Sequence, residues 1–124
     1  LDKKVFLKGS VNNVNEYLQS ADIFIMPSLW EGFSIALLEA MASEKIIITT
    51  PVGGNTEAVE DNKTGFIVKP KDSKALAEKI DYVLSLPEEE KKRITENARK
   101  SVEERFSVEK MVGEYEKLYE ELTR

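Results

Sequence analysis

Two glutamates, Glu31 and Glu39, bracket the run Gly-Phe-Ser-Ile-Ala-Leu-Leu, and acids at this spacing imply a binding chemistry. A carboxylate offers two acceptor oxygens and therefore suits a diol. Between the two acids, Gly32, Phe33 and Ser34 open a segment, Phe33 to Ala42, that reads as a helix apolar nearly all the way round. The first amides of a helix lack intrahelical partners and carry partial positive charge, so they seat a phosphate or diphosphate without help from lysine. Eight residues of helix place the acids at most roughly 12 Å apart along the axis. That span fits a nucleoside diphosphate sugar, with one acid taking hydroxyls of the sugar and the other hydroxyls of the ribose.

An all-round apolar helix is expected to be buried, which makes Glu39 conspicuous in the middle of it. A buried carboxylate without a partner costs several kcal/mol, so the residue demands a ligand or a protein cation. The competing reading makes Glu31 a solvated loop residue and holds Glu39 in a structural pair with a backbone amide or a lysine. Either alternative is reasonable for one acid alone, but the pair together with the helix start favours a ligand site.

Such a site needs elements to position it, and the chain supplies them in alternation. "KVFLKG" (4–9), "DIFIMPS" (22–28, halted by Pro27), "KIIITTP" (45–51) and "GFIVKP" (65–70) read as strands. Between them, "NVNEYLQSA" (13–21, capped by Asn12 or Asn13), the helix in question and a short helix from Thr56 to Glu60 read as helical. This order predicts an α/β, Rossmann-like parallel sheet with flanking helices. Three amphipathic helices follow, over 72–86, 87–106 and 107–123, started by Asp72 or Ser73, by Pro87 with three glutamates, and by Ser107 with Glu109 nearby. In the last, Val108, Met111, Val112, Tyr115, Leu118, Tyr119 and Leu122 form one stripe, which predicts core packing. Ligands of open parallel sheets sit outside the carboxyl ends of the strands, so the loops "GSV", "PSLWEGF" and "TPVGGNTE" are the place for a site, with Gly9, Gly32, Gly53 and Gly54 allowing close backbone approach.

Composition narrows the chemistry. The 124 residues contain no Cys and no His, which removes disulfides, thiolate and imidazole catalysis, and zinc sites built on sulfur or nitrogen. A net charge of -5 with no basic cluster argues against nucleic acid as a partner. No apolar run approaches the ~20 residues of a membrane span. The absence of cysteine fits a cytoplasmic setting. The start, "LDKKVFLKGS", has neither a signal-peptide core nor an initiating Met, so the chain is expected to be part of something longer.

The run Glu31 to Glu39, "EGFSIALLE", resembles the Glu-x7-Glu signature of the retaining GT-B glycosyltransferases grouped as family 4. The flanks agree: "FLKGSV", "ADIFIMPSLWEGF", "LLEAMAS", "TPVGGNTEAVEDNKTGFIVKPKD" and "RFSVEKMVGEYEKLYEEL" resemble successive segments of that family. The resemblance implies that Glu31 contacts the donor sugar and is the catalytic residue, and that Glu39 binds the ribose. It further implies that Gly32, Phe33, Ser34, Ile35 and Ala36 hold sugar hydroxyls and diphosphate, and that Gly9, Ser10 and Val11 line the nucleobase pocket. No metal and no cofactor beyond a UDP- or GDP-sugar substrate is implied. Departures are Glu44 and Ile46, where the family often has Gly and Pro, and Ser34 in place of a frequent Gly; the first pair bears on a turn, the last on the donor.

By this resemblance residues 1–124 are one partial domain, the C-terminal half of a GT-B fold lacking its first two strands. Residues 1–70 would be the α/β nucleotide-sugar-binding part and 71–124 the helical part. The implied parent is a hexosyltransferase with an N-terminal acceptor domain and peripheral membrane association, and the chain alone is expected to be inactive. In the order 3-2-1-4-5-6 the lost strands lie between "KVFLKG" and "DIFIMPS". The gap must then be closed by these two becoming neighbours, by a second chain, or by the rest of a longer protein. The competing function is a non-catalytic α/β interaction module that keeps only the scaffold.

Overall fold

A computed structural model describes residues 4–123. Its centre is a three-stranded parallel sheet, β1 (Ile23–Met26), β2 (Ile46–Thr49) and β3 (Phe66–Ile67), in the order β1-β2-β3. Ile23 faces Ile46 and Met26 faces Thr49 across the first ladder, and Ile48 faces Phe66 across the second. Six helices surround it: α1 (Val14–Ser20), α2 (Ile35–Ala42), α3 (Asn55–Ala58), α4 (Ser73–Ser85), α5 (Glu88–Arg105) and α6 (Val108–Thr123).

β2 is buried along its whole length, as a β-branched run covered on both faces must be. Its alternation sorts the core into two layers. Ile47 points into a cluster with Leu18, Leu37, Ala40, Met41, Ala58, Val59 and Ala98, while Ile46 and Ile48 join Phe66, Val68, Val83 and Ile94 on the other face. The long α5 serves both clusters, with Ala98 in one and Ile94 in the other. Each fully buried Ile or Leu contributes roughly 1.5–3 kcal/mol of hydrophobic stabilisation.

Start signals match the helix ends. The Asp72 carboxylate accepts from the Ala75 N–H at 2.9 Å, and the Ser107 hydroxyl accepts from the Lys110 N–H at 3.2 Å. Glu88, Glu89 and Glu90 occupy the first turn of α5, where negative charge is favoured. Asn13 stands at the N-cap of α1, but its side chain donates to Glu16 at 2.9 Å and caps nothing.

α2 closes with a Schellman turn: the Lys45 N–H donates to Ala40 C=O and the Glu44 N–H to Met41 C=O, both at 3.1 Å. Glu44 holds φ +57 there, the conformation that favours glycine. Its carboxylate lies 3.5 Å from Arg99 of α5, and Arg99 also pairs with Glu103 at 3.0 Å. The hydrogen bond from Arg99 to Glu103, followed by the charges of Glu103 and Glu44, holds that guanidinium above its ordinary pKa. Exposed pairs of this kind add little. Glu44→Gly is therefore expected to stabilise the chain by about 0.5–1 kcal/mol, read as a raised urea midpoint.

Three expectations fail. "KVFLKG" forms no strand: Val5, Phe6 and Leu7 are exposed and the backbone joins no ladder. A strand needs a neighbour for its amides, and no described residue provides one, so the gap is not closed by pairing 4–9 with β1. Nor is the stripe of α6 core. None of its residues is buried, with Leu118 the least exposed of the leucines at 47% and Leu122 at 74%, because no other described element lies against it closely enough to cover it. α2, finally, begins at Ile35 rather than Phe33 and is buried on one side only, through Leu37, Ala40 and Met41.

Candidate functional site

At the carboxyl edge of the sheet, Pro27 ends β1 because it has no N–H to continue the ladder. The chain then runs through Ser28–Gly32 to α2, while β2 runs through Thr50–Gly54 to α3. These two loops lie backbone against backbone. The Gly54 N–H donates to Gly32 C=O at 2.9 Å, and Gly53, at φ +53, sits so close to Glu31 that an added Cβ would overlap its carbonyl oxygen. A Cβ on Gly54 would meet the Phe33 ring at 2.7 Å. That ring also meets Phe106 at a tilt of 51°, with ring centroids 5.1 Å apart.

Buried polar side chains join the same two loops where backbone pairing stops. The Thr49 hydroxyl donates to Met26 C=O at 2.9 Å and the Thr50 hydroxyl to Ser28 C=O at 2.6 Å. Asn55 donates to Thr49 Oγ1 and to Thr50 C=O, each at 3.1 Å. Asn55 Oδ1 is buried without a hydrogen-bond partner among the described residues. Sequence reading missed all three residues, since Thr and Asn near Gly-Gly look like ordinary turn chemistry.

Ser34 is the N-cap of α2: its hydroxyl accepts from the Leu37 N–H at 3.2 Å and lies 3.5 Å from Met26 Sδ. That cap takes one of the orphan donors at the helix start. Ile35 and Ala36, the first two helical residues, have no acceptor for their amides among the described residues and are both exposed. The end of α2 is therefore open to solvent. Glu31 lies just before it, half-buried, its Oε1 accepting from the Ser28 hydroxyl at 2.9 Å.

Glu39 corrects the expectation that singled it out. It is exposed, on the uncovered side of α2, because the helix has a neighbour on one face only. No desolvation cost arises, and the argument from a buried charge does not hold. Glu39 instead lines an open hollow of ≈ 470 Å³ with Asn12, Asn13, Val14, Asn15 and Glu16, a size within the range of small-molecule sites. That segment follows directly on Gly9, Ser10 and Val11, where Gly9 has φ +65. Glu31 is not among the residues lining this hollow. The structure thus brings the two acids to one helix without enclosing both in one cavity. Among the described residues no group of three acids gathers to hold a metal, and no helix is long and apolar enough to cross a membrane.

Comparison with known proteins gives a consistent result. Residues 1–101 match the model of the family described as glycosyl transferases group 1. The chain is 35% identical over 124 residues to N-acetyl-alpha-D-glucosaminyl L-malate synthase of Bacillus anthracis, covering 100% of this chain and 32% of that protein. It is 36% identical over 115 residues to the capsular polysaccharide biosynthesis glycosyltransferase CapM of Staphylococcus aureus, covering 93% and 30%. Among solved structures, a glycosyltransferase from Rickettsia africae superposes with a TM-score of 0.91 at 33% identity, over 100% of this chain and 33% of that one. Anabaena HepE in complex with UDP superposes with a TM-score of 0.86 at 26% identity, over 99% and 33%. The chain thus spans about a third of the length of the relatives it matches. Its parallel sheet and flanking helices have the architecture of GT-B glycosyltransferase structures. On the family match and these identities, the chain belongs to the glycosyl transferases group 1 family.

Proposed function

We propose that this chain is the donor-binding part of a retaining glycosyltransferase of family 4, receiving a hexose carried on UDP or GDP. The observation that carries this reading is the open amino end of α2, where the Ile35 and Ala36 amides, between Glu31 and Glu39, have no acceptor among the described residues. Those amides, with the backbone of Gly32, Phe33 and Ser34, take the diphosphate and sugar hydroxyls. Glu31 acts at the donor sugar as the catalytic residue, and Glu39 takes the ribose diol. Gly9, Ser10 and Val11 line the base, next to the hollow in which Glu39 stands. HepE, solved with UDP, supports a uridine nucleotide as the first ligand to try. The basic groups that offset the leaving diphosphate, and the acceptor site, come from a further domain or a second chain, so the chain alone transfers no sugar. No metal or cofactor takes part in this reading, and its setting is cytoplasmic.

The exposure of Glu39 makes the test clean. Glu39→Ala removes no packed atoms, so stability should change by no more than about 0.5 kcal/mol. Affinity for UDP in calorimetric titration should nevertheless fall about tenfold, the usual worth of a charge-assisted hydrogen bond. An unchanged affinity would remove the ribose role, and no binding by either protein would favour an interaction module without a site.

A further inference from the structure

Glu31 has a second feature that the family assignment does not supply: its carboxylate is connected to the buried core by two consecutive hydrogen bonds. We propose that Ser28 and Thr50 are positioning residues that fix the Glu31 carboxylate for contact with the donor sugar. This inference rests on the reading of Glu31 as a sugar contact.

The connection begins where pairing between β1 and β2 ends at Met26 and Thr49. Pro27 cannot donate, and two successive threonine hydroxyls replace the ladder, Thr49 on Met26 C=O and Thr50 on Ser28 C=O. Thr50 is 1% exposed and the Asn55 amide is anchored on its carbonyl, so its hydroxyl is held in place by the core. Its short bond to Ser28 C=O, 2.6 Å, fixes the first loop residue after the proline. The hydroxyl of that same serine donates to Glu31 Oε1 at 2.9 Å. One carboxylate oxygen is thereby committed to Ser28, and Oε2 is left for a ligand. A glutamate in a solvated loop loses considerable side-chain freedom on binding; here part of that freedom is already lost in the unbound chain, which favours a preorganised contact.

The test compares two affinities in the full 124-residue chain. Each variant is titrated with UDP and GDP, and with UDP-glucose, UDP-N-acetylglucosamine and GDP-mannose, and the readout is the affinity for the best sugar nucleotide divided by that for its own diphosphate. A merely structural loss weakens both and leaves the ratio alone. Thr50→Val keeps the shape and removes the donor, and Ser28→Ala frees Glu31 directly; each should lower the ratio about threefold to tenfold. Thr50→Ser, which keeps the hydroxyl, should restore it. Glu31→Gln separates the layers of the argument. If Glu31→Gln lowers the ratio and neither Thr50→Val nor Ser28→Ala does, the positioning role is overturned and the sugar contact stands. If Glu31→Gln leaves the ratio unchanged, or no sugar nucleotide binds the parent chain, the sugar contact fails and the inference fails with it.

Discussion

Gly53→Ala should both unfold the chain at lower denaturant and abolish the proposed nucleotide-sugar binding. A methyl at Gly53 falls within the carbonyl oxygen of Glu31, 2.6 Å from its carbonyl carbon and 3.0 Å from Gly32 O. All are backbone atoms, so relief requires moving one loop away from the other. Gly53 also holds φ +53, a conformation that costs an L-residue roughly 1–2 kcal/mol before any clash. Together these should cost about 3 kcal/mol or more, a large share of the stability of a domain this size. The displaced residues are Glu31 and Gly32, so binding should be lost even in conditions that keep the variant folded. Gly32→Ala is the control: a Cβ there meets nothing within 4 Å, and stability should stay within about 0.5 kcal/mol. Urea unfolding with UDP titration of both variants checks the pair.

Phe66→Ala should have a comparable effect on stability and a smaller one on the site. Phe66 is 1% exposed, the largest side chain buried in the second core layer, and meets Tyr82 edge-on at 6.0 Å. β3 is only two residues long and is continued by the Val68 N–H bond to Thr49 C=O, so the packing of this ring adds to a short ladder. Phe-to-Ala truncations in cores cost about 3–5 kcal/mol. With a urea slope of about 1–3 kcal/mol per molar, the midpoint should fall by at least about 1 M. β1, which leads into the Ser28–Gly32 loop, pairs with β2 on the edge away from β3, so affinity measured below the transition should fall less than in Gly53→Ala.

These contrasts show what the residues disclosed and what they did not. "KIIITTP" could be read as a buried strand because β-branched residues in an unbroken run suit no exposed element, and Asp72 and Ser107 marked their helices through chemistry that is local. Glu39 is exposed despite its apolar surroundings in the sequence, because hydrophobicity around a helix does not say how many neighbours it has. Ile35, Ala36 and Glu39 share a side of α2 that no described element covers. The same reason leaves Val5 to Leu7 and the α6 stripe exposed: an apolar pattern states what could be buried, and burial needs a partner. The hydroxyls of Thr49 and Thr50 were illegible for a different reason, since their acceptors lie 23 and 22 residues away in the chain. Glu44 departs from the family pattern at a turn, and its φ of +57 shows what the position asks for: the Schellman position prefers glycine. Family membership was legible because its motifs are local strings, while the geometry they build is not.

The central claim is that the open end of α2 receives a diphosphate, and one measurement addresses it directly. Backbone amide resonances of the 15N-labelled chain are followed while UDP is added, with uridine alone as the reference. The account predicts that the Ile35 and Ala36 amides shift most and saturably with UDP, with little response to uridine at those two positions, because only the diphosphate reaches them. A UDP titration in which both amides stay fixed, or in which the shifts concentrate away from the Gly32–Ala36 segment, would contradict it.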